Sequence, residues 1–192
     1  MLQRSNTAPP AGILTPQVSL LGTVDDKMVR SMLDQLAEVP DGDDPVTLEV
    51  TTLGGDAEMG RRAMLEVDLA RERLKPRRFV FLGKSVVYSA GVTMMAGFPR
   101  EDRFLASDAM LLIHCRQLDE DLKLSGPIRS SLPKLRSKCH EIETGVELEE
   151  EGFRRLIEGS EVTMDELLEK ALYNWYVPAE EAVRLGLVAG IA

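Results

Sequence analysis

Short apolar, β-branched runs alternate with stretches of helical period up to about residue 114, and this alternation limits the fold more than any other feature of the chain. Residues 18–22 and 46–51 read as strands. Between them Asp25 and Asp26 offer an N-cap, and Met28, Val29, Met32, Leu33 and Leu36 recur at helical spacing. After the second strand come Leu53-Gly54-Gly55-Asp56 and a helix whose apolar face is Met59, Ala63, Val67, Ala70 and Leu74. Residues 78–82 read as a third strand, 83–89 as a connector, and 90–96 as a helix of small residues. Residues 103–105 and 109–114 add two short strands. This order gives parallel strands joined by right-handed crossovers, so a layered α/β domain is expected.

The segment 116–160 breaks the pattern. It has no strand signal, is highly charged, and carries Pro133 where a first helical turn would start, with Ser131 as a cap. Leu135, Cys139, Ile142 and Val146 then form a 4-3-4 apolar stripe. A long helix with one narrow stripe must find a partner surface, which is either its own domain or another subunit. The chain continues with a helix from Met164 to about Asn174, a turn at Val177-Pro178, a short helix over 179–185 capped by Gly186, and a strand over 187–191. Residues 1–17, with Pro9, Pro10 and Pro16, read as a flexible arm, and 18–192 as a single domain.

Composition narrows the function classes. The 192 residues carry a net charge of −9, which argues against nucleic acid and against an anionic membrane surface. The longest nearly apolar stretch, 86–98, is interrupted by Ser89, Gly91, Thr93 and Gly97, so no membrane span is expected. Cys115 and Cys139 form no disulfide framework and no metal set, which fits reduced thiols in a cytoplasmic protein. No Gly-x-Gly-x-x-Gly and no Gly-Lys-Ser/Thr loop is present, and no cofactor or metal is expected.

Three places carry candidate chemistry. His114 ends an apolar strand, at the end of a parallel sheet where ligands bind; it is either a structural histidine or a base. Ser89, in Val87-Tyr-Ser-Ala-Gly91, sits at a strand-to-helix junction, as either an N-cap or a nucleophile. In the second case the Ala90 N–H could donate to an oxyanion, and Gly91 would leave space above the serine. Gly54-Gly55 is either a tight turn or a place where a backbone N–H approaches a ligand.

Taken in order, these pieces form a recognisable set. Thr52-Leu-Gly-Gly55, Ser89-Ala-Gly91, Ala96-Gly97, Arg103-Phe104, Leu112-Ile-His114 and Pro178-Ala-Glu-Glu-Ala-Val-Arg-Leu-Gly-Leu-Val188 span most of the chain. With them the sequence resembles the proteolytic subunit of the Clp protease (ClpP), a serine peptidase with a crotonase-like ββα spiral. The Ser-to-His interval of 25 residues also fits. The resemblance implies Ser89 as nucleophile, His114 as general base, and the Gly55 and Ala90 amides as oxyanion hole, with Gly54 and Gly91 alongside. It implies that 116–160 is the family's helical handle, through which rings stack as a homo-oligomer. Polypeptide would then be the substrate and an AAA+ unfoldase a partner.

The sequence departs from that pattern in places. The triad Asp is replaced by Asn174, which can orient an imidazole but carries no charge, and Asp165 or Glu169 could substitute. A catalytically inactive ring scaffold is therefore an alternative reading, and a crotonase-type acyl-CoA enzyme a more distant one. The loop before Ser89 is longer than the family's and adds Ser85 as a rival hydroxyl and Lys84 as a rival base. The N-terminal arm lacks the family's familiar start.

Overall fold

A computed structural model describes residues 7–192. Strands β1 (Val18–Leu21), β2 (Val46–Thr52), β3 (Phe79–Tyr88) and β4 (Arg103–Leu105) alternate with helices α1 (Asp26–Ala37), α2 (Ala57–Leu74) and α3 (Ala90–Met95). Then follow β5 (Met110–Ile113), the long α4 (Ile128–Ile157), α5 (Met164–Ala171), β6 (Trp175–Pro178), α6 (Ala179–Leu185) and β7 (Gly190–Ile191). Side-chain caps start the first two helices: Asp25 accepts from the Met28 N–H, and Asp56 from the Glu58 and Met59 N–H groups.

The seven strands form one sheet. Its path is β1-β2-β3-β4-β7, and β5 pairs with β3 and β6. All pairings are parallel except β5–β6. Val46, Leu48, Val50, Phe79 and Phe81 lie under the helices in the main core. Val80, Leu82, Phe104 and Ala189 form a smaller cluster with Ile13. Burial on both faces explains why residues 79–82 of β3 read as a continuous apolar run, whereas β2 alternates Val46, Leu48 and Val50 with Thr47, Glu49 and Thr51. Residues 7–17 lie against the second cluster, where Ile13 is buried and the Thr7 N–H donates to the Ala189 carbonyl at 3.0 Å.

Three sequence expectations need correction. The connector expected at 83–89 is instead the second half of β3. Register runs Val50↔Gly83 and then Thr52↔Val87, so β3 carries two extra residues in a bulge. The bulge re-aims the strand: its first half pairs with β4 and its second half with β5. Glycine is required there, because a Cβ at Gly83 would lie 2.6 Å from the Leu105 side chain and 2.8 Å from Val87. The turn expected at Val177-Pro178 is the end of β6, an antiparallel edge strand whose terminal proline needs no ladder donor. Helix α4 starts at Ile128, before Ser131, and encloses Pro133.

The base of α4 is fastened by charge. The Arg103 side chain is buried and donates to the carbonyls of Phe98 (2.8 Å), Leu156 (2.7 Å), Leu187 (3.2 Å) and Arg155 (2.9 Å). Burial, with the Arg155 charge behind it, pushes the Arg103 guanidinium down to about 10. Arg155 forks onto Asp68 of α2 at 2.6 and 2.8 Å, and that carboxylate holds the Arg155 guanidinium above its usual range.

Candidate active site

Ser89 and His114 follow the C-terminal ends of adjacent parallel strands. Tyr88 is in register with Leu112, so each functional residue sits just past its strand. The Ser89 N–H donates to the Leu112 carbonyl at 2.8 Å, which ties the serine to β5. Ser89 has φ 54° and ψ −116°, a conformation L-residues rarely adopt. It holds the side chain out of the cap position, and the hydroxyl makes no capping bond to α3.

Close backbone packing forms the floor. A Cβ at Gly54 would lie 2.8 Å from Ser89 Cβ and 3.3 Å from its Oγ. One at Gly60 of α2 would meet the Ala90 carbonyl at 2.9 Å. Gly91 differs from the expectation that it leaves space above the serine. Its Cβ would strike the Thr52 methyl at 2.3 Å, so it makes room beneath the serine, for β2. Gly55 pairs with Val24 in a single bridge, where a Cβ would fall 2.3 Å from the Val24 carbonyl oxygen.

The donors divide clearly. The Gly54 N–H is taken by Thr52 Oγ1 at 3.0 Å. Among the described residues the Gly55 and Ala90 N–H groups meet no acceptor. Both residues line the same cavity, of about 380 Å³, as Ser89 and His114. Val92 and Met64 line it below, and Phe153 and Leu156 at the base of α4 close one side. Arg61, Arg116 and Glu149 supply its charge.

His114 Nδ1 lies 2.7 Å from the Cys115 carbonyl oxygen. A carbonyl only accepts, so Nδ1 carries a proton, and in the neutral ring the lone pair is then on Nε2. Among the described residues no hydrogen bond joins Ser89 Oγ to the ring, although both residues line the cavity.

Asn174 does not take the place expected of it. The Ile113↔Trp175 pairing sets it opposite His114 at the end of the β5–β6 ladder. Yet its φ is 62°, it is exposed, and it makes no bond to the ring. The positive φ follows from the close of α5, where the Asn174 N–H reaches back to the Ala171 carbonyl at 3.4 Å. Asp165 and Glu169 are exposed on α5 and do not line the cavity. Lys84 is ion-paired with Glu49 and Ser85 is exposed at the bulge, so neither rival faces the cavity. Burial raises the Glu49 carboxyl, but the bonds from Lys84 and Ser19 outweigh it and leave the group below its usual range.

The sequence assigns no functional role to two residues beside the site, Cys115 and Glu149. Cys115 follows His114, and burial, together with the neighbouring Glu149 charge, pushes its thiol up to about 11. Glu149 lies in the acidic run 147–151, which reads as a solvated face. Here it is half-buried in the cavity wall and accepts from the Arg116 N–H. Only the fold could single it out.

Among solved structures the chain is similar to a ClpP1 mutant from Listeria monocytogenes. The TM-score is 0.69 at 19% identity, over 91% of this chain and 90% of that one. The chain has a ClpP-like fold. No protein-family model and no curated protein matches the sequence. Among the described residues no helix is long and apolar enough to cross a membrane, and no cluster of ligating side chains could hold a metal.

Proposed function

We propose that this chain is a serine-type endopeptidase subunit that hydrolyses unfolded polypeptide. One observation carries the reading: an uncapped serine hydroxyl, a histidine with a free Nε2 lone pair and two unengaged amides open on one cavity. His114 Nε2 removes the Ser89 proton as Oγ adds to the scissile carbonyl. The Gly55 and Ala90 N–H groups hold the oxyanion. Collapse breaks the C–N bond, and the imidazolium gives its proton to the leaving amine. Water then cleaves the acyl-enzyme by the same route. In this reading the Ser89–His114 hydrogen bond forms when substrate binds, as in many apo sites.

The reading extends to assembly. Leu135, Ile142 and Val146 are 38%, 46% and 47% exposed along α4, and Cys139 is exposed with them. We assign this stripe to contact between copies, in a ring-shaped homo-oligomer that encloses the sites. An AAA+ unfoldase in the cytoplasm would deliver unfolded chain to it.

A second reading, an inactive ring scaffold, draws on the missing Ser89–His114 hydrogen bond and on the exposed Asn174. A fluorophosphonate probe and a fluorogenic peptide separate the two. Labelling at Ser89 and hydrolysis lost in Ser89→Ala support the peptidase. A folded oligomer that refuses both probe and peptide overturns it.

A further inference from the structure

The amide that joins Cys115 to Arg116 is gripped at both ends. Its carbonyl accepts from His114 Nδ1–H at 2.7 Å, and its N–H donates to Glu149 Oε2. The Glu149 charge also bears on the Cys115 thiol, and the Cys115 N–H donates to the Ala171 carbonyl at 3.3 Å. Glu149 therefore orients the peptide plane against which the imidazole rests. A carboxylate bound to the N–H of an amide also polarises its C=O, which makes that oxygen a stronger acceptor.

We propose that Glu149 is a positioning residue for His114, acting through this single amide in place of the carboxylate that Asn174 does not supply. The proposal rests on the peptidase reading. As Nε2 takes the serine proton, positive charge develops on the ring, and the polarised carbonyl at Nδ1 stabilises it. The other charged groups facing the site are Arg61 and Arg116. Arg116 is turned to Glu58 at 2.6 Å, and Arg61 lies 3.7 Å from the same carboxylate. Those two cations share Glu58, so Glu149 is the carboxylate at this end of the cavity that is bonded to the histidine-bearing strand.

The arrangement also makes α4 part of the site. Glu149 lies three residues along the helix from Val146, the last member of the exposed stripe. Movement of α4 against another copy would thus be felt at the amide behind His114.

The test uses the full chain with ¹⁵N-labelled imidazoles. There are two histidines, and His140→Gln assigns the signals. Glu149→Gln, Glu149→Ala and the control Glu147→Gln are compared with wild type by imidazole ¹⁵N shifts and by kcat and KM on a fluorogenic peptide, with melting curves to verify folding. The Glu149→Gln change keeps an acceptor for the amide but removes the charge. In that variant the Nδ1–H tautomer should persist while kcat falls about tenfold with KM unchanged, less than the direct loss of a triad carboxylate. In Glu149→Ala the tautomer preference should itself be lost and kcat fall further. Glu147→Gln, on an exposed position, should change neither. An unaltered tautomer in Glu149→Ala, or a kcat within twofold of wild type in Glu149→Gln, overturns the proposal and leaves the peptidase reading standing. If wild type neither hydrolyses peptide nor takes a probe at Ser89, the peptidase reading falls and the proposed role in catalysis falls with it. The tautomer comparison then still decides whether Glu149 sets the ring.

Discussion

The floor beneath Ser89 and the helix α4 satisfy their apolar surface in opposite ways. Under the serine everything is closed: Thr52, Ala90 and Met94 are buried, and glycines at 54, 60 and 91 let backbones touch where a methyl group would not fit. Helix α4 has 30 residues, yet Leu156 alone is buried. At 1.5 Å per residue it extends about 45 Å, with a stripe that nothing among the described residues covers. The floor is specified by intramolecular packing, whereas the helix is anchored at one end and leaves its apolar stripe exposed.

The largest effect belongs to the floor. Ser89→Ala should lower kcat by about 10⁴-fold or more in the peptide assay, with the melting temperature nearly unchanged. Activity that survives at wild-type level would show that this cavity is not where hydrolysis occurs. Next comes the anchor between the two regions. Arg103→Leu strands several buried carbonyls at once and should cost about 3–5 kcal/mol, read as a fall in melting temperature of about 10 °C. A loss below about 1 kcal/mol would mean that α4 is held by something other than this guanidinium.

Smaller effects sharpen the contrast. Cys139 is exposed on the helix, while Cys115 is half-buried with its thiol pushed up to about 11 from 9.0. At pH 8 Cys115 should react with iodoacetamide about 10²-fold more slowly than an unperturbed thiol, gaining about tenfold per pH unit until near 11. Peptide mapping of the alkylated chain checks this, and equal labelling of the two cysteines would contradict it. Ile142→Glu should weaken assembly by at least about tenfold in sedimentation, without changing the secondary structure seen by circular dichroism. An oligomer unaffected by it would mean that the stripe is not the contact. Asn174→Asp should raise peptide hydrolysis only a few-fold, because position 174 faces His114 in register but turns its side chain to solvent. A gain of about 10³ would show that residue 174, not Glu149, governs the imidazole.

Much of this was legible in the residues because it depends on local chemistry. Period and caps marked α1 and α2, where Asp25 and Asp56 cap as their side chains predict. The bulge in β3 was not legible. Strand propensity falls at Gly83-Lys84-Ser85, and only the partners β4 and β5 on either side of that break make the segment one strand. The start of α4 was misplaced because Pro133 resembles a first-turn residue, while the helix actually begins next to Pro127. Gly91 lies at the expected junction but makes room for Thr52 and not above the serine, since a missing Cβ does not say which side it vacates.

By itself the sequence determined an α/β order of elements and placed Ser89 and His114 at the ends of their strands, because period, capping and strand-end position are properties of nearby residues. The tertiary structure alone decided which amides stay free, which way Asn174 turns, and that a glutamate from an acidic helical run stands behind the histidine. Those outcomes depend on contacts between segments far apart in the chain, and no local pattern encodes the distance between two surfaces that meet only after folding.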